Sequence, residues 1–215
     1  RLPRGCLLRP RFHLTDSGNA ARMAFMCGLD LRYCRDTDEL MKYLDGRWVS
    51  NRPDLVLAST RTVIEGIWSD VEHVPAGGLK DAVRRHALKT ESRHARKAMI
   101  ELVKAEPDMA VSMAELDADP WLFNVANGTI DLRTGELRDF DRGHLITKQS
   151  PVVWDPEAEC PRFLLFLDEI FDGNKALIDF IQRVCGYSLT GRVSEQALFF
   201  FYGSGRNGKT TLVET

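Results

Sequence analysis

Apolar residues recur mostly at helical spacing along this chain, with two short interruptions of strand-like period. Ala20, Met23 and Ala24 give a small apolar face to a short helix that Asp16, Ser17 or Asn19 can cap and Gly28 can end. Leu31 to Cys34 and Leu40 to Leu44 read as short strands. Asp45-Gly46 is a hairpin-turn pair, and Trp48 sits on the return strand. Pro53 opens a helix at its favoured first-turn position, and Val56, Val63, Ile64, Ile67 and Trp68 line one face of it. Pro75-Ala-Gly-Gly78 breaks the chain. Leu79 to Glu106 then reads as two amphipathic helices with a break near Thr90, ended by Pro107.

The period changes between Leu122 and Asp139. Two turn signals, Asn127-Gly128 and Thr134-Gly135, separate three short strands, which predicts a β meander. Helices follow at Phe163 to Phe171, with Phe163, Phe166, Leu167 and Ile170 on the apolar face, and at Leu177 to Leu189. The last apolar run, Leu198 to Tyr202, reads as a buried strand, with a helix expected from near Lys209.

Between that strand and helix lies Gly203-Ser204-Gly205-Arg206-Asn207-Gly208-Lys209-Thr210, which fills the pattern G-x-x-x-x-G-K-[ST]. The pattern predicts a phosphate cradle. Gly203, Gly205 and Gly208 permit positive φ and close backbone approach, so that successive N–H groups point at one centre. The helix start favours anionic phosphate. Lys209 is expected to reach the β- and γ-phosphates as the catalytic cation, and the Thr210 hydroxyl to hold Mg²⁺. Residues Gly203 to Thr211 are thus the expected ATP-binding set, with Thr211 a metal ligand only in a shifted loop. The chain starts at Arg1 and stops at Thr215, so both ends are expected to continue in a longer protein. The acidic metal ligand, the sensor and the arginine finger belong to that continuation, and hydrolysis is expected only in the full-length parent.

Composition adds little. Apolar residues make up 44% and charged residues 28%, as in an ordinary globular chain. The net charge of −2 gives no global argument for nucleic acid, so any basic surface is local. The candidates are the arm Arg1 to Pro10 and the stretch carrying Lys80, Arg84, Arg85, Lys89, Arg93, Arg96, Lys97 and Lys104, read first as solvated faces and second as DNA-tracking surfaces. Cys6, Cys27, Cys34, Cys160 and Cys185 are scattered, which fits reduced thiols in a cytoplasmic protein better than a zinc site with His13. No apolar run is long enough for a membrane span. His13, Asp16 and Arg22 are more cheaply explained by capping and surface pairing than by catalysis. Asp117, Asp119 and Asp131 are more cheaply explained by turn formation than by metal binding.

Several stretches together resemble the phage and plasmid primase-helicases, which share a domain with the poxvirus primase-helicase. They are Phe12-His-Leu-Thr-Asp-Ser-Gly-Asn-Ala20, Tyr43-Leu-Asp-Gly-Arg-Trp48, the long Asp119 to Leu137 stretch, Gly186-Tyr-Ser-Leu-Thr-Gly191, Glu195-Gln196 and the Asn-Gly-Lys form of the P-loop. The resemblance implies a ring-forming helicase, usually hexameric, that binds ATP between subunits and moves on single-stranded DNA. It implies an α+β chain. Residues 1–195 are expected as a mostly helical accessory domain with a β-hairpin and a meander. Residues 196–215 are expected as the first strand, P-loop and helix start of a superfamily 3 ATPase core. Two other readings stay open: another P-loop enzyme, such as a packaging motor or small-molecule kinase, and a non-catalytic assembly or DNA-loading module beside an ATPase.

Overall fold

The computed structural model describes residues 12–203, 205 and 207–214. The basic arm Arg1 to Pro10 lies outside the described residues. The chain is α+β and divides into two units, Arg1–Ala118 with Phe140–Lys148, and Asp119–Asp139 with Gln149–Thr215.

In the first unit, helix α1 spans Asp16–Cys27, followed by strands β1 (Leu31–Cys34), β2 (Glu39–Leu44) and β3 (Arg47–Val49). The cap of α1 is Thr15, not one of the three expected residues. Its hydroxyl accepts from the Gly18 amide at 3.1 Å, and Asp16 is already the first helical residue. Asp45 and Gly46 both take positive φ, 48° and 85°, as a two-residue hairpin loop requires. Helices α2 (Pro53–His73), α3 (Gly78–Thr90) and α4 (Arg93–Val103) follow, and Ser92 caps α4. The break near Thr90 is where expected.

One element had no visible signal. Ala110–Val111, strand β4, pairs parallel with β1 and completes a sheet of order β3-β2-β1-β4. The two strands are joined through β2, β3 and three helices, a long connection of the kind parallel pairing needs.

Neighbouring residues of this sheet face opposite ways, as pleating demands. Leu31 and Leu40 join the helical core with Met23, Val63, Ile67 and Met99. Cys34 and Met41 join a second cluster with Trp48 and Val111. Trp48 is 1% exposed. Its Nε1 donates to the Arg142 carbonyl at 3.0 Å, which ties the 140–148 segment to the hairpin.

In the second unit, β5 (Leu122–Val125), β6 (Gly128–Asp131) and β7 (Glu136–Arg138) form the expected antiparallel meander. Every residue of β6 is buried, and Thr129 donates to Asn124 Oδ1 at 2.6 Å inside it. The guanidinium groups of Arg133 and Arg192 each lie 5.5 Å from the Trp121 ring centroid. Helices α5 (Pro161–Ile170) and α6 (Lys175–Leu189) each bury one residue, Leu167 and Ile181. A six-residue helix, α7, spans Lys209–Glu214. Among the described residues, no helix is long and apolar enough to cross a membrane.

The strand expected at Leu198 to Tyr202 is not formed. The segment still alternates, with Leu198, Phe200 and Tyr202 77%, 80% and 91% exposed, while Phe199 and Phe201 are near 40%. Phe199 rests on Phe180 of α6, with ring centroids 6.2 Å apart. The period is that of a strand, but among the described residues nothing pairs with it. An unpaired row of backbone N–H and C=O groups is not a strand.

Candidate functional site

The glycine-rich loop closes on itself. The Lys209 ammonium donates to Asn207 Oδ1 at 2.6 Å and lies 3.5 Å from the Gly203 carbonyl oxygen. Gly205 and Gly208 take φ of 98° and 78°, the left-handed conformation expected of them. Gly203 does not. It serves by lacking a side chain, because a Cβ there would overlap the Asn207 amide. The α7 helix begins where expected, and the Leu212 amide bonds back to the Gly208 carbonyl at 2.9 Å. Thr210 and Thr211 are exposed on its first turn. Ser204 and Arg206 lie outside the described residues.

The back of this loop rests on α5. A Cβ on Gly208 would come within 2.7 Å of Ile170 and 3.0 Å of the Phe166 ring. Beside that contact is a cleft of about 460 Å³, lined by Cys160, Pro161, Arg162, Phe163, Phe166 and Thr211 among others.

Chemically, the described residues of the loop offer the Lys209 ammonium, the Thr210 and Thr211 hydroxyls and a narrow turn of backbone. These suit a polyphosphate, provided the Lys209 and Asn207 side chains exchange their mutual bond for phosphate oxygens. Mg²⁺ fits the Thr210 hydroxyl only as a shared ligand with phosphate oxygens and water, its usual mode in such sites.

The other candidates disperse. His13, Asp16 and Arg22 do not form a cluster, and the surface pairing expected for Arg22 is also wrong. Arg22 is buried and meets Asp70 of α2 at 2.6 Å, with 3% of each side chain exposed. Beside it, His86 Nε2 is 2.9 Å from Asn19 Oδ1, and the Asn19 amide donates to Thr90 at 3.2 Å. Burial and the nearby Arg22 charge hold the His86 pKa below its ordinary value. A signal for this network was available. Asn19 and Arg22 share the helical face of Met23 and Cys27, so polar residues sit on a core-facing stripe.

Cys27 and Cys34 belong to different core clusters. Burial pushes the Cys27 thiol up. Asp117 accepts from the Thr147 amide at 2.7 Å, Asp119 from the Trp121 amide at 3.0 Å, and Asp131 pairs with Arg138 at 3.1 Å. These are turn and pairing roles, as expected.

The basic stretch is only partly a surface. Arg96 turns inward to Thr60 Oγ1 and the Leu57 carbonyl at 2.8 and 3.0 Å, and Lys104 pairs with Asp38 at 3.0 Å. Arg84, Arg85, Lys89 and Arg93 are exposed.

No curated protein matches this chain. A protein-family model described as "D5 N terminal like" matches residues 20–172, from α1 to the end of α5 and the turn beyond it. The glycine loop lies past the matched span. With well over half of its length in that match, the chain belongs to the D5 N-terminal-like family.

Proposed function

We propose that this chain is part of a primase-helicase-type replication protein of a phage, prophage or plasmid. In this reading the Gly203–Thr211 loop binds the triphosphate of ATP, and the full-length protein couples ATP hydrolysis to movement on single-stranded DNA. Family membership supports the replication role. The observation that carries the ATP reading is the Lys209 ammonium, held over its own loop by Asn207 while Gly205 and Gly208 keep the turn narrow.

On binding, Lys209 leaves Asn207 Oδ1 for the β- and γ-phosphate oxygens and neutralises charge that develops as the terminal phosphoryl group leaves. The Thr210 hydroxyl would hold Mg²⁺, which would supply further charge neutralisation when bound. The proposal includes assembly into a ring, taken as a hexamer, in which a neighbouring subunit supplies an arginine to the phosphates.

The test is ATP hydrolysis by the full-length protein with and without single-stranded DNA, beside Lys209→Ala. DNA-stimulated turnover lost in the variant is expected. Turnover indifferent to DNA would point to a different P-loop enzyme. Turnover retained by Lys209→Ala would sink the assignment of the loop.

A further inference from the structure

The cleft beside the loop is built from the start of α5 and the first turn of α7. Phe163 and Phe166 line it, with ring centroids 6.2 Å apart and planes inclined by 31°. Pro161 adds a third apolar surface, and Glu159, Arg162 and Thr211 supply the charged and polar groups of its lining. Phe166 belongs to two surfaces at once. Its ring lines the cleft and also supports Gly208 from behind, so the cleft and the phosphate loop share a wall.

This geometry limits what can fill the space. A triphosphate in the loop carries a nucleoside at its other end, and that nucleoside must lie within a few bond lengths of the loop. The adjoining cleft is mostly apolar, walled by aromatic rings, and has a volume within the range of roughly 300–1,000 Å³ usual for small-molecule sites. Flat heteroaromatic rings gain most in such a place, by stacking on phenyl faces.

We propose that this cleft receives the nucleobase of the nucleoside triphosphate whose phosphates occupy the Gly203–Thr211 loop, with Phe163 as the stacking face. The proposal rests on the nucleotide reading given above. It assigns the α5 end of the D5 N-terminal-like span a part in nucleotide binding, although the loop itself lies beyond that span. The Phe166 ring would let a bound base report directly on the loop.

Phe163 is the residue to change, because Phe166 supports Gly208 and its truncation would disturb the loop itself. The full-length protein, Phe163→Ala, Phe163→Trp and Lys209→Ala are titrated with Mg-ATP and with Mg-tripolyphosphate, which has no base. Phe163→Ala should weaken ATP binding roughly tenfold, the scale of one base–aromatic stack, and leave tripolyphosphate binding unchanged. Lys209→Ala should weaken both. Phe163→Trp should show a fluorescence change with ATP, relative to the wild-type background, and none with tripolyphosphate. If Phe163→Ala binds ATP like the wild type, or loses both ligands equally, the base cleft is refuted while the phosphate loop stands. If the wild-type protein binds neither ligand, the phosphate loop fails and the base cleft fails with it.

Discussion

The guanidinium of Arg22 and the carboxylate of Asp70 meet at 2.6 Å between α1 and α2, with only 3% of either side chain exposed. Arg22 also lies 5.2 Å from the Phe12 ring centroid. Two charges this deep offset each other's desolvation, and losing one leaves the other stranded. Asp70→Ala should lower the unfolding free energy by about 3–5 kcal/mol, read by urea denaturation. The double variant Arg22→Met/Asp70→Leu should recover most of that loss, because it strands neither charge. The exposed pair Arg52–Asp54, with side chains 43% and 61% exposed, is the control, and its removal should leave the urea midpoint essentially unchanged.

His86 gives the first unit a pH dependence of known sign. Its pKa is held down by burial first and by the Arg22 charge second, with Lys89 adding to this and Asp16 opposing it. The folded state therefore prefers the neutral ring. Its contribution to stability is complete above the unfolded imidazole pKa of about 6.5 and is lost as pH falls toward the depressed folded value. Nε2 is assigned as the protonated nitrogen because Asn19 Oδ1, 2.9 Å away, accepts. Unfolding midpoints measured from pH 7.5 to pH 5 should fall with acid in the wild type. The His86→Gln variant should fall less steeply, and equal slopes would exclude His86 as the source.

Gly208 and Gly135 both have positive φ, 78° and 75°, but only Gly208 has neighbours where a Cβ would stand. Gly135→Ala should therefore show only the left-handed backbone penalty, about 1–2 kcal/mol, with ATP turnover unchanged. Gly208→Ala adds a collision with Ile170 and Phe166 and should reduce turnover by tenfold or more in the full-length protein. Unchanged turnover in Gly208→Ala would mean that the loop does not need its seat on α5.

Local chemistry was legible wherever a few adjacent residues decide the backbone. Asp45-Gly46 marked its hairpin because few other pairs accept two positive φ angles in sequence. Pro53 marked the start of α2 because its fixed φ and missing N–H suit the first turn. The meander followed from Asn127-Gly128 and Thr134-Gly135, where the glycine alone of each pair takes a positive φ. Thr15 was passed over for Asp16, Ser17 or Asn19, since all four are capping types and a one-residue shift leaves no trace in composition.

Partners distant in sequence were another matter. The parallel pairing of Ala110–Val111 with Tyr33 and Cys34 depends on where three helices return the chain. Arg22 looked like a surface residue until Asp70, 48 positions away, supplied its counter-charge. Leu198 to Tyr202 kept the alternation of a strand without becoming one, because a strand is a property of two segments.

By itself, the sequence determined the order and type of most elements, the two turn-defined β units and the glycine loop with its lysine. Each of these is set by φ preferences and spacing within a few residues. Tertiary structure alone decided which charges are buried, that the Lys209 ammonium rests on Asn207, and that Phe166 backs Gly208 beside an aromatic cleft. Those are contacts between segments tens of residues apart or between side chains whose rotamers depend on packing, and no local preference encodes them.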